Sequence, residues 1–290
     1  MKAHRTGRHR EASVGVIGGS GLYRMEGLKD AKEYRIRTPF GAPSGAVVVG
    51  LIDGVQVAFL ARHGSGHRLS PSEINYRANI YALKSLGVTH IIASGAVGSL
   101  REEIRPRDLV IVDQVIDRTT RRASTFFDEG VTVHVEFSHP FCPDLRGRLI
   151  EAEAAVNCTV HERGTYVCIE GPAFSTVAES QMHRDWGADV VGMTCLPEAR
   201  LAREAEICYA MVALAICTRA VRNPLARMTC VAFVSNVTGD CTARAGRIAI
   251  IAAMKTTPAM RRVEGREMGA RKVMGEPARP AQRRIRTVHP

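Results

Sequence analysis

No two of the eight cysteines stand in a C-x-x-C pair, and all eight lie between Cys142 and Cys241 with no repeated spacing. That excludes a zinc ribbon and a small disulfide scaffold, and no metal site is expected. Cysteines among apolar neighbours, such as Cys168, Cys208 and Cys230, are expected as reduced core residues of a cytoplasmic protein. The basic N-terminus lacks a following apolar stretch, so it does not read as a secretory signal. No apolar run approaches the roughly 20 residues that would cross a membrane. There is no internal repeat. The middle of the chain also lacks net charge. Of the formal +11, residues 1–10 supply +4 and residues 261–290 supply +6, leaving +1 for residues 11–260. The basicity belongs to the ends, read here as a disordered leader (1–12) and a disordered tail (261–290). A nucleic-acid partner is therefore disfavoured.

What is present between those ends is an alternation of short apolar runs and amphipathic stretches. Strands are expected at Ser13–Ile17, Ala46–Leu51, Val55–Leu60, His90–Ser94, Leu109–Asp113, Thr165–Ile169 and Asp189–Thr194. Asp53-Gly54 signals a hairpin. Helices are expected from Pro71 to Leu86, over 142–154, after a Ser175 cap, and over Leu196–Ile207. Residues 117–140 lack clean periodicity, and a long irregular segment in a small domain is more often functional than accidental. The pattern implies an α/β fold: a single three-layer domain over 13–260, with a central mixed, twisted sheet flanked by helices.

Three stretches at strand ends suit an anion. Ala61-Arg62-His63-Gly64-Ser65-Gly66-His67 places a guanidinium and two imidazoles among glycines directly after a strand. Gly18-Gly19-Ser20-Gly21 follows the first strand, and its backbone N–H groups and hydroxyl could face a phosphate. It is an incomplete dinucleotide fingerprint and equally a plain tight turn. Gly95-Ala96-Val97-Gly98-Ser99-Leu100 reads as a second small-residue turn. Each alone is weak.

Eight stretches together resemble the trimeric purine nucleoside phosphorylases, and among them the methylthioadenosine phosphorylases. They are V-G-V-I-G-G-S-G-L-Y, T-P-F-G-A-P-S-G, L-A-R-H-G-S-G-H, N-Y-R-A-N-I-Y-A-L-K, G-S-L-R-E-E-I-R-P-R-D, E-G-P-A-F-S-T-V-A-E-S, V-V-G-M-T and P-E-A-R-L-A-R-E-A-E-I-C-Y-A, in the family's order from Val14 to Ala215. The resemblance implies phosphorolysis of S-methyl-5′-thioadenosine to adenine and 5-methylthioribose 1-phosphate, with phosphate as co-substrate and no cofactor. It places Ser20, Arg62, His63, Gly95, Ala96 and Thr194 around phosphate. Met193, Phe174 and His67 fall at the nucleoside, and Ser175 falls where substrate preference varies. Core packing would account for Met193 or Phe174 in isolation; the constellation assigns them to a site. The resemblance further implies a homotrimer, with His134 or its neighbours reaching an adjacent subunit.

The resemblance breaks after about residue 215. Where methylthioadenosine enzymes carry T-D-Y-D-C-W, with acids facing the purine, this chain reads Ile216-Cys217-Thr218-Arg219-Ala220. A later run, Cys230 to Asp240, resembles the strand-plus-Asn pattern of 6-oxopurine phosphorylases, which makes Asn236 a second specificity candidate. Two alternatives therefore stand beside the leading expectation: a 6-oxopurine or methylthioinosine phosphorylase, and a non-catalytic homologue that binds nucleoside or phosphate. No residue is assigned as the general acid or base.

Overall fold

The computed structural model describes residues 12–19, 27–128, 130–155 and 158–218. Ser20, Asn236, residues 1–11 of the leader, the run from Cys230 to Asp240 and the basic tail lie outside the described residues. Ala12, expected at the end of the disordered leader, is instead buried, with its N–H donating to the Leu86 carbonyl at 3.3 Å.

Among the described residues, eleven strands form one mixed sheet. At its centre lie β1 (Val14–Gly18), β4 (Val55–Ala61) and β5 (His90–Ser99), with β1 parallel to both neighbours. Every residue of β1 is buried, as its unbroken apolar run requires when both faces of a parallel sheet are covered. β3 (Val47–Ile52) turns through Asp53-Gly54 onto β4 in antiparallel register, and both turn residues have positive φ. This is the hairpin expected from the sequence.

One edge of the sheet ends in β2 (Lys29–Tyr34), a strand the sequence does not announce: K-D-A-K-E-Y is polar and almost wholly exposed. It pairs with β3 through a register shift between Lys29 and Lys32. Charge and irregularity of this kind blunt an edge strand against further pairing. The other strands are β6 (Leu109–Ile111), β7 (Gln114–Arg118), β8 (Val160–His161), β9 (Thr165–Ile169), β10 (Val190–Gly192) and β11 (Cys208–Thr218).

The ten-residue strand β5 organises the molecule. Along one edge it pairs with β11 over its whole length. Along the other it pairs with parallel β1 over His90–Ala93 and then with antiparallel β10 over Gly98–Ser99. Between those two partners, Ser94–Val97 has no strand neighbour on that edge among the described residues. The expected turn at Gly95–Leu100 is thus corrected: the chain stays extended to Ser99, because β11 supplies a pairing edge that small residues could not signal locally.

The helices are α1 (Tyr76–Ser85), α2 (Pro143–Glu151), α3 (Val177–Asp185) and α4 (Glu198–Glu204). Helix α1 starts later than Pro71, at an Asn75 cap whose side chain accepts from the Ala78 N–H at 3.1 Å. The cap of α3 is Thr176 rather than Ser175. Thr176 and Glu179 form a reciprocal capping box, which leaves Ser175 one residue outside the helix and buried.

Candidate active site

A cavity of about 460 Å³ opens where β1 and β10 part along β5, within the size range of small-molecule sites. One end is built from strand ends. Gly19, following β1, lies so close to β5 that a Cβ there would sit 2.7 Å from the Ser94 carbonyl oxygen and 2.8 Å from Arg62 Nη1. Only glycine allows that approach. A Cβ on Gly95 would meet Met211 Cε at 2.9 Å and Thr194 Oγ1 at 3.7 Å, so the Thr194 hydroxyl stands beside the stretch of β5 that has a strand partner on one edge only. Thr194 N–H donates to Tyr166 Oη at 3.3 Å.

His63 also lines this end. Its Nδ1 lies 2.8 Å from the Leu69 carbonyl oxygen. A carbonyl can only accept, so Nδ1 carries a proton. Burial pushes the imidazole down to about 4; the Leu69 bond opposes this, while Arg62 and His67 add to it. At neutral pH the ring is neutral, which leaves Nε2 as an acceptor. His67 stacks on it with ring centroids 4.1 Å apart.

Arg62 does not line the cavity. It is fully buried behind Gly19, donating from Nε and Nη2 to the two oxygens of Glu198 at 2.7 and 2.8 Å, and from Nη1 to the Ser94 carbonyl at 2.7 Å. Tyr209 donates to the same carboxylate at 2.8 Å. Burial opposes the guanidinium charge, but Glu198 outweighs it and the group is held more firmly protonated. The pair carries no net charge, so Arg62 holds the strand ends in place rather than offering a free cation; the exposed Arg68 lines the cavity beside His67.

The rest of the lining is mainly apolar: Val97, Ile169, Pro172, Phe174, Met193 and Ile216, together with Ser175. Phe174 is half exposed, whereas Ser175 Oγ lies 3.0 Å from Ser180 Oγ in a buried setting. Gly171, at φ +70°, packs so tightly on Met193 that a Cβ would lie 2.7 Å from its sulfur.

Sequence reasoning missed the residue that ties these loops together. Arg122, from the irregular segment after β7, donates to the Met193 and Leu196 carbonyls at 2.6 and 2.7 Å and to the Glu170 carbonyl at 2.6 Å. Its side chain is almost completely buried. Glu170 in turn accepts from Ser72 and from the Thr120 and Arg121 N–H groups. Burial opposes its ionisation, but these donors and Arg122 hold the carboxyl down to about 2. The only signal in the sequence was the irregularity of the segment itself.

The structure therefore gathers His63, His67, Gly95, Ala96, Phe174, Ser175, Met193 and Thr194 around one cavity, with Arg62 immediately behind it. His134 is exposed and is not among the lining residues. Ser20 and Asn236 fall outside the described residues. A strand partnered on one edge only, a hydroxyl and a neutral imidazole suit an oxyanion; an apolar lining with one buried hydroxyl suits a flat heterocycle.

A family model described as the phosphorylase superfamily matches residues 13–254. An S-methyl-5′-thioadenosine phosphorylase of Geobacter sulfurreducens is 59% identical over 206 residues, which are 71% of this chain and 72% of the relative. One from Hyperthermus butylicus is 55% identical over 205 residues, 70% of this chain and 75% of that one. Among solved structures, a methylthioadenosine phosphorylase from an antarctic soil metagenomic library superposes with TM-score 0.75 at 44% identity, covering 85% of this chain and 86% of its own. The methylthioadenosine phosphorylase of Schistosoma mansoni in complex with adenine gives TM-score 0.77 at 36% identity, covering 84% and 92%.

Proposed function

The chain belongs to the phosphorylase superfamily, and from that premise we propose that it cleaves S-methyl-5′-thioadenosine with inorganic phosphate, a pentosyl transfer of purine salvage. The observation that carries this reading is that one cavity is lined both by oxyanion-compatible groups from β5, His63 and Thr194 and by Phe174, Ser175 and Met193. The relatives that share this stretch are named for that substrate.

In the reaction, the C1′–N9 bond breaks with its electron pair leaving on the purine, a phosphate oxygen bonds to C1′, and the proton that phosphate gives up is balanced by one taken up by the purine from solvent. Phosphate held by Thr194 and the Gly95-Ala96 backbone lies where positive charge develops in the sugar, and it stabilises an oxocarbenium-like transition state. Fixing the nucleophile there contributes through positioning. With Nδ1 committed to Leu69, His63 accepts from a protonated phosphate oxygen through Nε2. Met193 lies against the ribose, and Phe174 covers the purine beside Ser175. No cofactor takes part.

We further infer a homotrimer of cytoplasmic location, in which the 117–140 segment faces the neighbouring subunit. Val131, Phe174, Val177 and Trp186 are each about half exposed, and large apolar side chains in water favour contacts between copies. No helix among the described residues is long and apolar enough to cross a membrane.

The test is phosphate-dependent base release from methylthioadenosine and from inosine on the full chain. Adenine release is expected. Hypoxanthine alone would transfer the base preference to the 6-oxo class and to Asn236. Neither product, from folded protein that binds phosphate, would make this a non-catalytic homologue and make the departure at Ile216–Ala220 decisive.

A further inference from the structure

Far from the cavity-lining loops, Cys142 and Cys208 bring their sulfurs to 3.0 Å although they stand 66 positions apart. Cys142 caps α2 and Cys208 opens β11. The Cys142 N–H donates to the Tyr209 carbonyl at 2.9 Å, so the two backbones are already held at bonding distance next to the sulfurs. A disulfide needs sulfurs about 2.05 Å apart, about 1 Å closer than they stand here. Both residues are only half buried, within reach of a small reagent. The sequence-based expectation of a core cysteine at 208 is corrected accordingly: the residue begins a central strand, but its sulfur faces the cap of a surface helix.

We propose that Cys142 and Cys208 form a dithiol site that takes a small disulfide of the glutathione class and closes into an intramolecular disulfide between α2 and β11. The Cys142 thiolate attacks one sulfur of the small disulfide, forming a mixed disulfide and expelling one thiolate. Cys208 then gives up its proton and attacks the Cys142 sulfur, and a second small thiolate leaves. The protein dithiol loses two electrons and two protons, and the small disulfide is reduced to two thiols.

The order of attack follows from the surroundings. The two sulfurs share one S–H···S contact at 3.0 Å, and that contact with Cys208 holds the Cys142 thiol down to about 6. Burial opposes this, while the Asp144 and Leu145 N–H groups favour the thiolate without forming a geometric capping bond. Cys208 is pushed up by the same contact and by burial. A partly accessible thiol held down towards neutral pH is the reactive kind. The other described thiols differ. Cys168 and Cys195 are fully buried and pushed up by that burial, and burial likewise raises Cys158.

The experiment is to incubate the full chain with oxidised glutathione, alkylate the remaining thiols, and map the peptides by mass spectrometry. A Cys142–Cys208 linkage is expected, reversed by dithiothreitol. The thermal midpoint of the oxidised protein should rise by on the order of 5 °C, because the bond closes a long loop in the unfolded chain. Alkylation of both residues after oxidation, linkage of a different pair, or glutathione retained on Cys142 of the wild type would each overturn the proposal. With Cys208→Ser, glutathione should remain bound to Cys142. If it does not, Cys142 is not the attacking thiol.

Discussion

Arg62 and Glu198, 136 positions apart, form a two-point ion pair with both side chains fully buried. The pair joins the loop after β4 to the first turn of α4, and Tyr209 of β11 closes it. Such a pair contributes little net stability relative to an apolar replacement, but removing one partner strands a buried charge.

Glu198→Gln should therefore destabilise the protein by about 3–5 kcal/mol. Urea unfolding checks this, and an unchanged midpoint would mean that Arg62 finds another partner.

His63 couples stability to pH. Its folded value, about 4, lies below the ordinary 6.5, so the unfolded chain binds more protons between those limits. Stability rises with pH across that window: the contribution is complete above about pH 6.5 and lost as pH falls towards 4, with a full span on the order of 3 kcal/mol. His63→Asn keeps a donor for Leu69 but cannot titrate, and it should flatten that part of the curve. An identical curve for the variant would assign the effect to other groups.

Gly192→Ala should disturb the anion end through a neighbour. Its Cβ would fall 2.0 Å from Tyr166 Oη and 2.5 Å from Tyr166 Cζ, and Tyr166 is fully buried. The ring must shift, carrying with it the hydroxyl that accepts from Thr194. A loss of about 1–3 kcal/mol is expected, together with a smaller thermal shift on adding phosphate. Unaltered stabilisation by phosphate would separate Tyr166 from the site.

Arg122→Lys tests whether one guanidinium positions the nucleoside end. A lysine cannot reproduce the fork that serves the Glu170, Met193 and Leu196 carbonyls. The nucleoside KM should rise about tenfold with little change in the phosphate KM, and added guanidinium should partly rescue Arg122→Ala. Equal loss on both substrates would reduce Arg122 to a general fold contact.

Much of the fold was legible because the strands are apolar runs bounded by turn residues. Val14–Gly18 and Val55–Ala61 read as buried strands since both faces are covered, and Asp53-Gly54 reads as a hairpin since both residues must take positive φ. The polar strand Lys29–Tyr34 was not legible: an exposed edge has no apolar periodicity to show, and only its hydrogen bonds to β3 make it a strand. Gly95–Ser99 was misread for a related reason, since glycine and alanine signal a turn locally while β11, more than 100 residues later in the chain, holds them extended.

The sequence alone determined which residue types stand at each strand end, because glycine, threonine, histidine and arginine are needed for what their own atoms can do. It could not determine which face each presents. His63 became a neutral acceptor through the Leu69 carbonyl, Arg62 retired behind Gly19 through Glu198, and Arg122 became the tie between two loops through carbonyls distant in the chain. Each of those outcomes depends on a partner at long sequence separation and on burial, and neither quantity exists before the chain has folded.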